Sequence, residues 1–206
     1  MKDPKRNPSD LGPSDLGSLE RALRGFDPPA QPPVLVGGDV SYLVESTELG
    51  PMLLAVRADG RLVASAFVSA PGSADAVLDR LARGVSPRVL RGGKALDAVR
   101  SELDEYLAGR RHRFEVAVDL VLATPFQRVV LQRLAEVGYG TSISYGALAG
   151  AIGRPKAARA VGAALGANPL CVVLPCHRVV ASSGALTGYA GGLAAKRHLL
   201  DLEAAA

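Results

Sequence analysis

The chain has 206 residues, 48% of them hydrophobic, and a net charge of +4, which is enough apolar material to bury a core as one domain or as two small ones. Its two cysteines, Cys171 and Cys176, lie five residues apart on one segment, which argues against a disulfide framework and predicts a reducing, cytoplasmic setting. There is no apolar run of about 18 residues and no apolar stretch after the charged start Met1 to Asp10, so neither a membrane span nor an export signal is expected.

Residues 1–33 carry Pro4, Pro8, Pro13, Pro28, Pro29, Pro32 and Pro33 with little apolar pattern, and are predicted to be a disordered or loosely attached extension. From 34 to 122 the text reads as an α/β domain. Met52 to Arg57 and Arg61 to Val68 flank Ala58-Asp59-Gly60, the signal of a hairpin with positive φ at its tip. Leu78 and Leu81 after a possible cap at Ser73, then Leu96, Val99, Leu103 and Leu107 before Gly109, follow helical spacing. Phe114, Val116, Val118 and Leu120 alternate with Glu115, Ala117 and Asp119, which predicts a further strand. The expected domain is thus a small antiparallel sheet covered by helices.

Near residue 123 the pattern turns helical, and 123–206 is read as a second domain. Thr124-Pro125-Phe126-Gln127 has the form of a capping box with proline at the first helical position. Phe126, Val130, Leu134 and Val137 make its apolar face, with Gly138 and Gly140 expected to end the helix. A short helix over 144–152, a turn at Gly153-Arg154-Pro155 and a second helix over 156–167 match a helix-turn-helix. The second helix is built from small residues, among them Ala157, Ala158, Ala160, Gly162 and Ala163, so its backbone can approach another surface closely. From Thr124 to Arg178 six basic residues stand against the single acid Glu136, a net +5, so the rest of the chain is net −1. A basic face of this kind suits a polyanion.

The apolar run Cys171 to Leu174 leads into Pro175-Cys176-His177-Arg178. A thiol beside a base and a cation, at the end of a run predicted as a strand, is a setting for a nucleophilic cysteine.

Six motifs in order, Thr124 to Gln127, Ser144-Tyr145, Arg154 to Gly162, Asn168-Pro169, Pro175 to Val179 and Gly188 to Leu193, resemble the O6-alkylguanine-DNA alkyltransferases. The N-terminal half resembles them only in coarse pattern. The resemblance implies an α/β N-terminal domain followed by a mainly helical domain of winged helix-turn-helix type. It also implies single-turnover repair, in which an alkyl group passes from O6-alkylguanine, and more slowly from O4-alkylthymine, to the protein's own cysteine after the base is flipped out. Carried over by motif, Cys176 is the acceptor, His177 its base through a water, and Glu203 the residue that orients the histidine. Asn168 braces the turn before the active-site segment, and Tyr145 helps rotate the nucleotide and protonate the departing guanine. Arg159 fills the vacated stack, with Lys156, Arg154 and Ala158 on the same DNA-facing helix and turn. Thr187, Tyr189, Ala190, Gly191 and Arg178 belong to the substrate pocket, where Thr187 stands in place of a frequent glycine. The implied partner is duplex alkylated DNA, bound through its minor groove by a monomer, with cooperative loading left open. No cofactor is implied, and without a Cys/His cluster near the N-terminus no structural zinc is expected.

Two other readings of the same residues remain: a lesion sensor that binds DNA without chemistry, and a cysteine hydrolase that would need a histidine distant in sequence, for which only His112 and His198 are available.

Overall fold

The computed structural model describes residues 39–205; the Pro-rich extension at 1–33 lies outside the described residues. Val40–Thr47 (β1), Gly50–Arg57 (β2) and Leu62–Phe67 (β3) pair antiparallel in sequence, and Val89–Arg91 (β4) joins β1 in parallel, in the order β3-β2-β1-β4. The sheet is therefore mixed rather than antiparallel throughout. After β3 the chain runs through helix α1 (Ser73–Gly84) and reaches the opposite edge of the sheet, a crossover that delivers β4 parallel to β1. The predicted hairpin forms, with Gly60 at φ 83° in the β2–β3 turn. Ser73 begins α1 rather than capping it; Gly72 is the cap residue, and the Ser73 hydroxyl donates to the Ala70 carbonyl.

β2 is buried on both faces, which is why it reads Met-Leu-Leu-Ala-Val without alternation. Leu53 and Ala55 pack with Val63 and Leu81 beneath α1. Met52, Leu54 and Val56 point the other way, into one core shared with Val99, Leu103 and Tyr106 of α2 (Asp97–Leu107) and with the C-terminal helices. The strand predicted over Phe114 to Leu120 does not form. Only Val118 bridges to Leu62, because the Glu102 carboxylate accepts from the amides of Glu115 at 2.7 Å and Val116 at 3.2 Å and takes them out of any ladder.

Helix α3 (Pro125–Leu134) opens on the predicted capping box: Gln127 N donates to Thr124 Oγ1 at 3.3 Å and Thr124 N to Gln127 Oε1 at 2.9 Å. It stops at Leu134, before the glycines expected to end it. Ser144 caps α4 (Tyr145–Ala151) through the amide of Ala147. α5 spans Ala158–Gly166, so Lys156 and Ala157 sit in the preceding turn and the link between the helices is longer than predicted. α3, α4 and α5 pack on one another. Ile143–Ser144 (β5) and Val179–Val180 (β6) form a short parallel pair, and α6 (Gly192–Ala204) follows.

Candidate active site

The site starts at edge strand β3. Ser65 N donates to Pro169 O at 2.8 Å, Cys171 N donates to Ser65 O at 2.7 Å, and Ser65 Oγ donates to Cys171 O at 2.9 Å, so the segment after α5 is fastened to the sheet. Cys171 to Leu174, expected as a strand, is instead a tight turn closed by Leu174 N donating to Leu170 O at 2.8 Å, with Val172 at φ 72°. A β-branched residue in that region is strained by roughly 1–3 kcal/mol. The turn is held by Asn168, whose Oδ1 accepts from Leu170 N at 3.0 Å and whose Nδ2 donates to Leu174 O at 3.1 Å and to Cys176 Sγ at 3.3 Å.

After Pro175 comes one 3-10 turn, Cys176–Arg178. Such a turn rotates each successive side chain by about 120°, and the three diverge. Cys176, 6% exposed, borders a cavity of about 440 Å³ with Tyr145, Leu165, Thr187, Tyr189 and Ala190, within the range of about 300–1,000 Å³ usual for small-ligand sites. Gly162, Leu165 and Gly166 make one wall, so the helix that bears Arg159 also bounds the thiol's cavity. His177 turns into the core, where Nε2 bonds Glu203 Oε1 at 2.6 Å and Nδ1 has no partner.

Arg178 does not line the cavity, against expectation. Its guanidinium donates to Glu203 Oε2 at 2.8 Å and Oε1 at 3.1 Å and to the Val137 carbonyl, and it borders a separate hollow of about 210 Å³. A buried carboxylate needs a cation at hand, and that need fixes Arg178. Gly191 is likewise outside the cavity lining; it caps α6 with its α-carbon against the Phe67 ring. Ala190 and Tyr189 do line it, and the Thr187 hydroxyl donates to the Tyr145 hydroxyl at 3.0 Å across the mouth.

These contacts set the charge states. Burial opposes ionisation of Glu203, but hydrogen bonds from His177 and Arg178 outweigh it and hold the carboxyl at about 2. Burial holds His177 below its usual range against the pull of Glu203, which leaves it neutral. A carboxylate can only accept, so a neutral imidazole that meets Glu203 Oε1 through Nε2 carries its proton there and keeps a lone pair on the unpartnered Nδ1. The Cys176 thiol is held below its usual range by the Cys171 thiol, and, against burial, by the Asn168 amide and the Lys196 ammonium. Cys171, read as simple packing, has one proton to offer and lies 3.6 Å from the Asn168 carbonyl as well.

Lys196 was missed. It is fully buried on α6, and its Nζ donates to Val179 O at 2.7 Å and Thr187 O at 3.0 Å, tying the cavity wall to the thiol segment. The signal was present: Lys196, Leu199 and Glu203 share one helical face. Tyr106 was missed too; its hydroxyl donates to Glu203 Oε1.

Half of the six basic residues counted over 124–178 are internally engaged. Arg128 donates to the Leu120 and Ala123 carbonyls, Arg133 pairs with Glu136, and Arg178 is buried. The cationic face narrows to Arg154, Lys156 and Arg159, all exposed, with Arg154 also over the Phe126 ring at 5.6 Å. His112 stacks on Tyr139 at 4.2 Å and His198 pairs with Glu48, so neither borders the Cys176 cavity. Among the described residues no group of three or more His, Cys, Asp or Glu side chains is arranged to hold a metal ion, and no helix is long and apolar enough to cross a membrane.

The family model described as 6-O-methylguanine DNA methyltransferase, DNA binding domain, matches residues 125–205. The inducible methylated-DNA–protein-cysteine methyltransferase of Bacillus subtilis is 49% identical over 102 residues, 50% of this chain and 56% of that protein. The chain spans between 56% and 62% of the length of such curated relatives. The crystal structure of Mycobacterium tuberculosis O6-methylguanine methyltransferase superposes with a TM-score of 0.68 at 36% identity, covering 81% of this chain and 93% of that one. A structure of the mycobacterial protein in complex with DNA gives 0.68 at 34% identity, covering 80% and 93%. With the fold shared over nearly the whole mycobacterial chain at 36% identity, and the segment matched by the family model carrying the thiol, histidine and carboxylate together, the chain belongs to the O6-methylguanine DNA methyltransferase family.

Proposed function

We infer that this protein repairs alkylated duplex DNA by moving the O6-alkyl group of guanine, and more slowly the O4-alkyl group of thymine, to Cys176 in one irreversible turnover. The observation that carries the reading is a buried, acidified thiol on the wall of a cavity bounded by the cationic helix itself. The Cys176 proton passes through a water to His177 Nδ1. The thiolate attacks the alkyl carbon; the C–S bond forms as the C–O6 bond breaks, and the electron pair leaves on the guanine oxygen. The Tyr145 hydroxyl, which accepts from Thr187, is free to donate its own proton toward the leaving purine.

O6 lies inside the stacked duplex, so the nucleotide must be everted at a cost of a few kcal/mol. Small residues along α5 with Arg154, Lys156 and Arg159 around them suit close approach in the minor groove. Arg159 takes the place of the everted base. Thr187 narrows the cavity mouth against bulky alkyl groups.

The test is intact-mass analysis after mixing with a duplex oligonucleotide bearing O6-methylguanine. One CH₂ unit per protein, mapped to the Cys176 peptide and absent from Cys176→Ala that still binds DNA, is expected. No adduct with binding intact would mean a lesion sensor, and turnover beyond one equivalent a hydrolase. Arg159→Ala should slow reaction with duplex far more than with free O6-alkylguanine; equal slowing removes the stack-filling role.

A further inference from the structure

Glu203 is the most heavily engaged side chain of the site, and one of its partners comes from outside the segment that matches the family model. Oε2 accepts from Arg178 and from Gly140 N at 3.0 Å; Oε1 accepts from Arg178, from His177 and from the hydroxyl of Tyr106. Tyr106 lies on α2 and is 1% exposed. Its oxygen is also 3.4 Å from His177 Nε2, and Arg178 reaches it at 3.5 Å. The ring is fixed between Phe114, 4.9 Å away, and Tyr139, 5.9 Å away.

We propose that Tyr106 is a positioning residue for alkyl transfer: its hydroxyl shares Glu203 Oε1 with His177, fixes the Nε2–H tautomer, and so keeps Nδ1 available as the base that serves Cys176. The proposal rests on the alkyl-transfer reading given above. Burial, and then the Glu203 charge, push the phenol far above its usual range, so it stays a neutral donor. A donor to Oε1 draws off part of the carboxylate's charge. Without it Glu203 pulls harder on His177, and the imidazole takes up a proton at a higher pH than before. A protonated His177 has no lone pair on Nδ1 and cannot accept the thiol proton. The other groups around the ring are Arg178 and Cys176 on its own turn, Lys196 on α6 and Tyr189 at a centroid distance of 6.3 Å. Arg178 and Lys196 both oppose the charged imidazole, so the phenol works in the same direction as two fixed cations.

The experiment compares wild type, Tyr106→Phe and Tyr139→Phe, measuring against pH both alkyl transfer from O6-methylguanine duplex and alkylation of Cys176 by iodoacetamide. Tyr106→Phe keeps the ring packing. It should move the acid limb of both profiles to higher pH and slow transfer on the order of 10-fold or more, the size of effect expected when a hydrogen bond to a charged group is lost. Tyr139→Phe, which removes a buried hydroxyl without a partner, should leave both profiles in place. Unmoved profiles for Tyr106→Phe overturn the proposal, as does an equal shift for the two variants. Transfer absent from wild type while the iodoacetamide profile shifts would sink the repair reading and leave the role of Tyr106 standing. Should Tyr106→Phe fail to fold, NMR of wild type decides: a Tyr106 hydroxyl proton slow to exchange together with a proton on His177 Nε2 supports the proposal, and a rapidly exchanging hydroxyl or a proton on Nδ1 at neutral pH overturns it.

Discussion

Gly191→Ala probes how tightly the sheet supports the cavity wall. Gly191 has φ −83° and ψ 5°, a conformation alanine accepts, so the backbone adds no penalty. A Cβ there would lie 2.7 Å from Phe67 Cζ and 2.8 Å from Cε1 and Cε2, closer than carbon atoms pack. The Phe67 ring cannot simply swing aside, because it meets Tyr189 edge-on at 5.5 Å, and Tyr189 lines the Cys176 cavity. Overpacking of this kind costs roughly 1–3 kcal/mol. For a chain of this size a loss of about 2 kcal/mol lowers Tm by roughly 4–8 °C. Phe67→Leu removes the three clashing atoms, so the double variant should recover at least about 1 kcal/mol relative to the sum of the single changes. The assay is a double-mutant cycle by denaturant unfolding, with alkyl-transfer rates measured alongside. Additivity within about 0.5 kcal/mol would refute the claim that Phe67 sets the space at Gly191.

Lys196→Met keeps the shape of the stem while removing the cation that favours the Cys176 thiolate; the iodoacetamide profile of Cys176 should move to higher pH, and an unmoved profile removes Lys196 from the thiol's environment. Glu203 is depressed on folding from 4.5 to about 2, so its contribution, of order 3 kcal/mol, is fully present above its unfolded value and is lost as pH falls through the folded one. Wild type should therefore lose stability across that window and Glu203→Gln should not; parallel unfolding curves for the two across it would contradict the assignment.

Local chemistry was legible in the sequence. The capping box at Thr124 and the Gly60 hairpin depend on residues a few positions apart, and both formed. Features decided by distant partners were not. The alternation from Phe114 to Leu120 marks a one-sided segment, but the Glu102 carboxylate rather than a neighbouring strand satisfies its amides. Cys171 to Leu174 has strand composition yet turns sharply, because Ser65 and Asn168 absorb its polar groups. Arg178 reads as a pocket cation until Glu203 is found 25 positions on in the chain and in direct contact. On α2, the helical spacing marks Leu107 as the next core residue, while the structure buries Tyr106 more completely and gives its hydroxyl to the site.

Val172 carries a last consequence. Its left-handed backbone opposes folding by about as much as the burial of its side chain favours it, roughly 1–3 kcal/mol against 1.5–3. The turn that leads to the thiol is thus nearly balanced at Val172, and it keeps its form through the Leu174–Leu170 backbone bond, the Ser65 contacts and the amide of Asn168. That same amide donates to the sulfur. A bond made to the sulfur removes most of its capacity to accept, so the alkyl transfer proposed above would also withdraw one fastening from this turn.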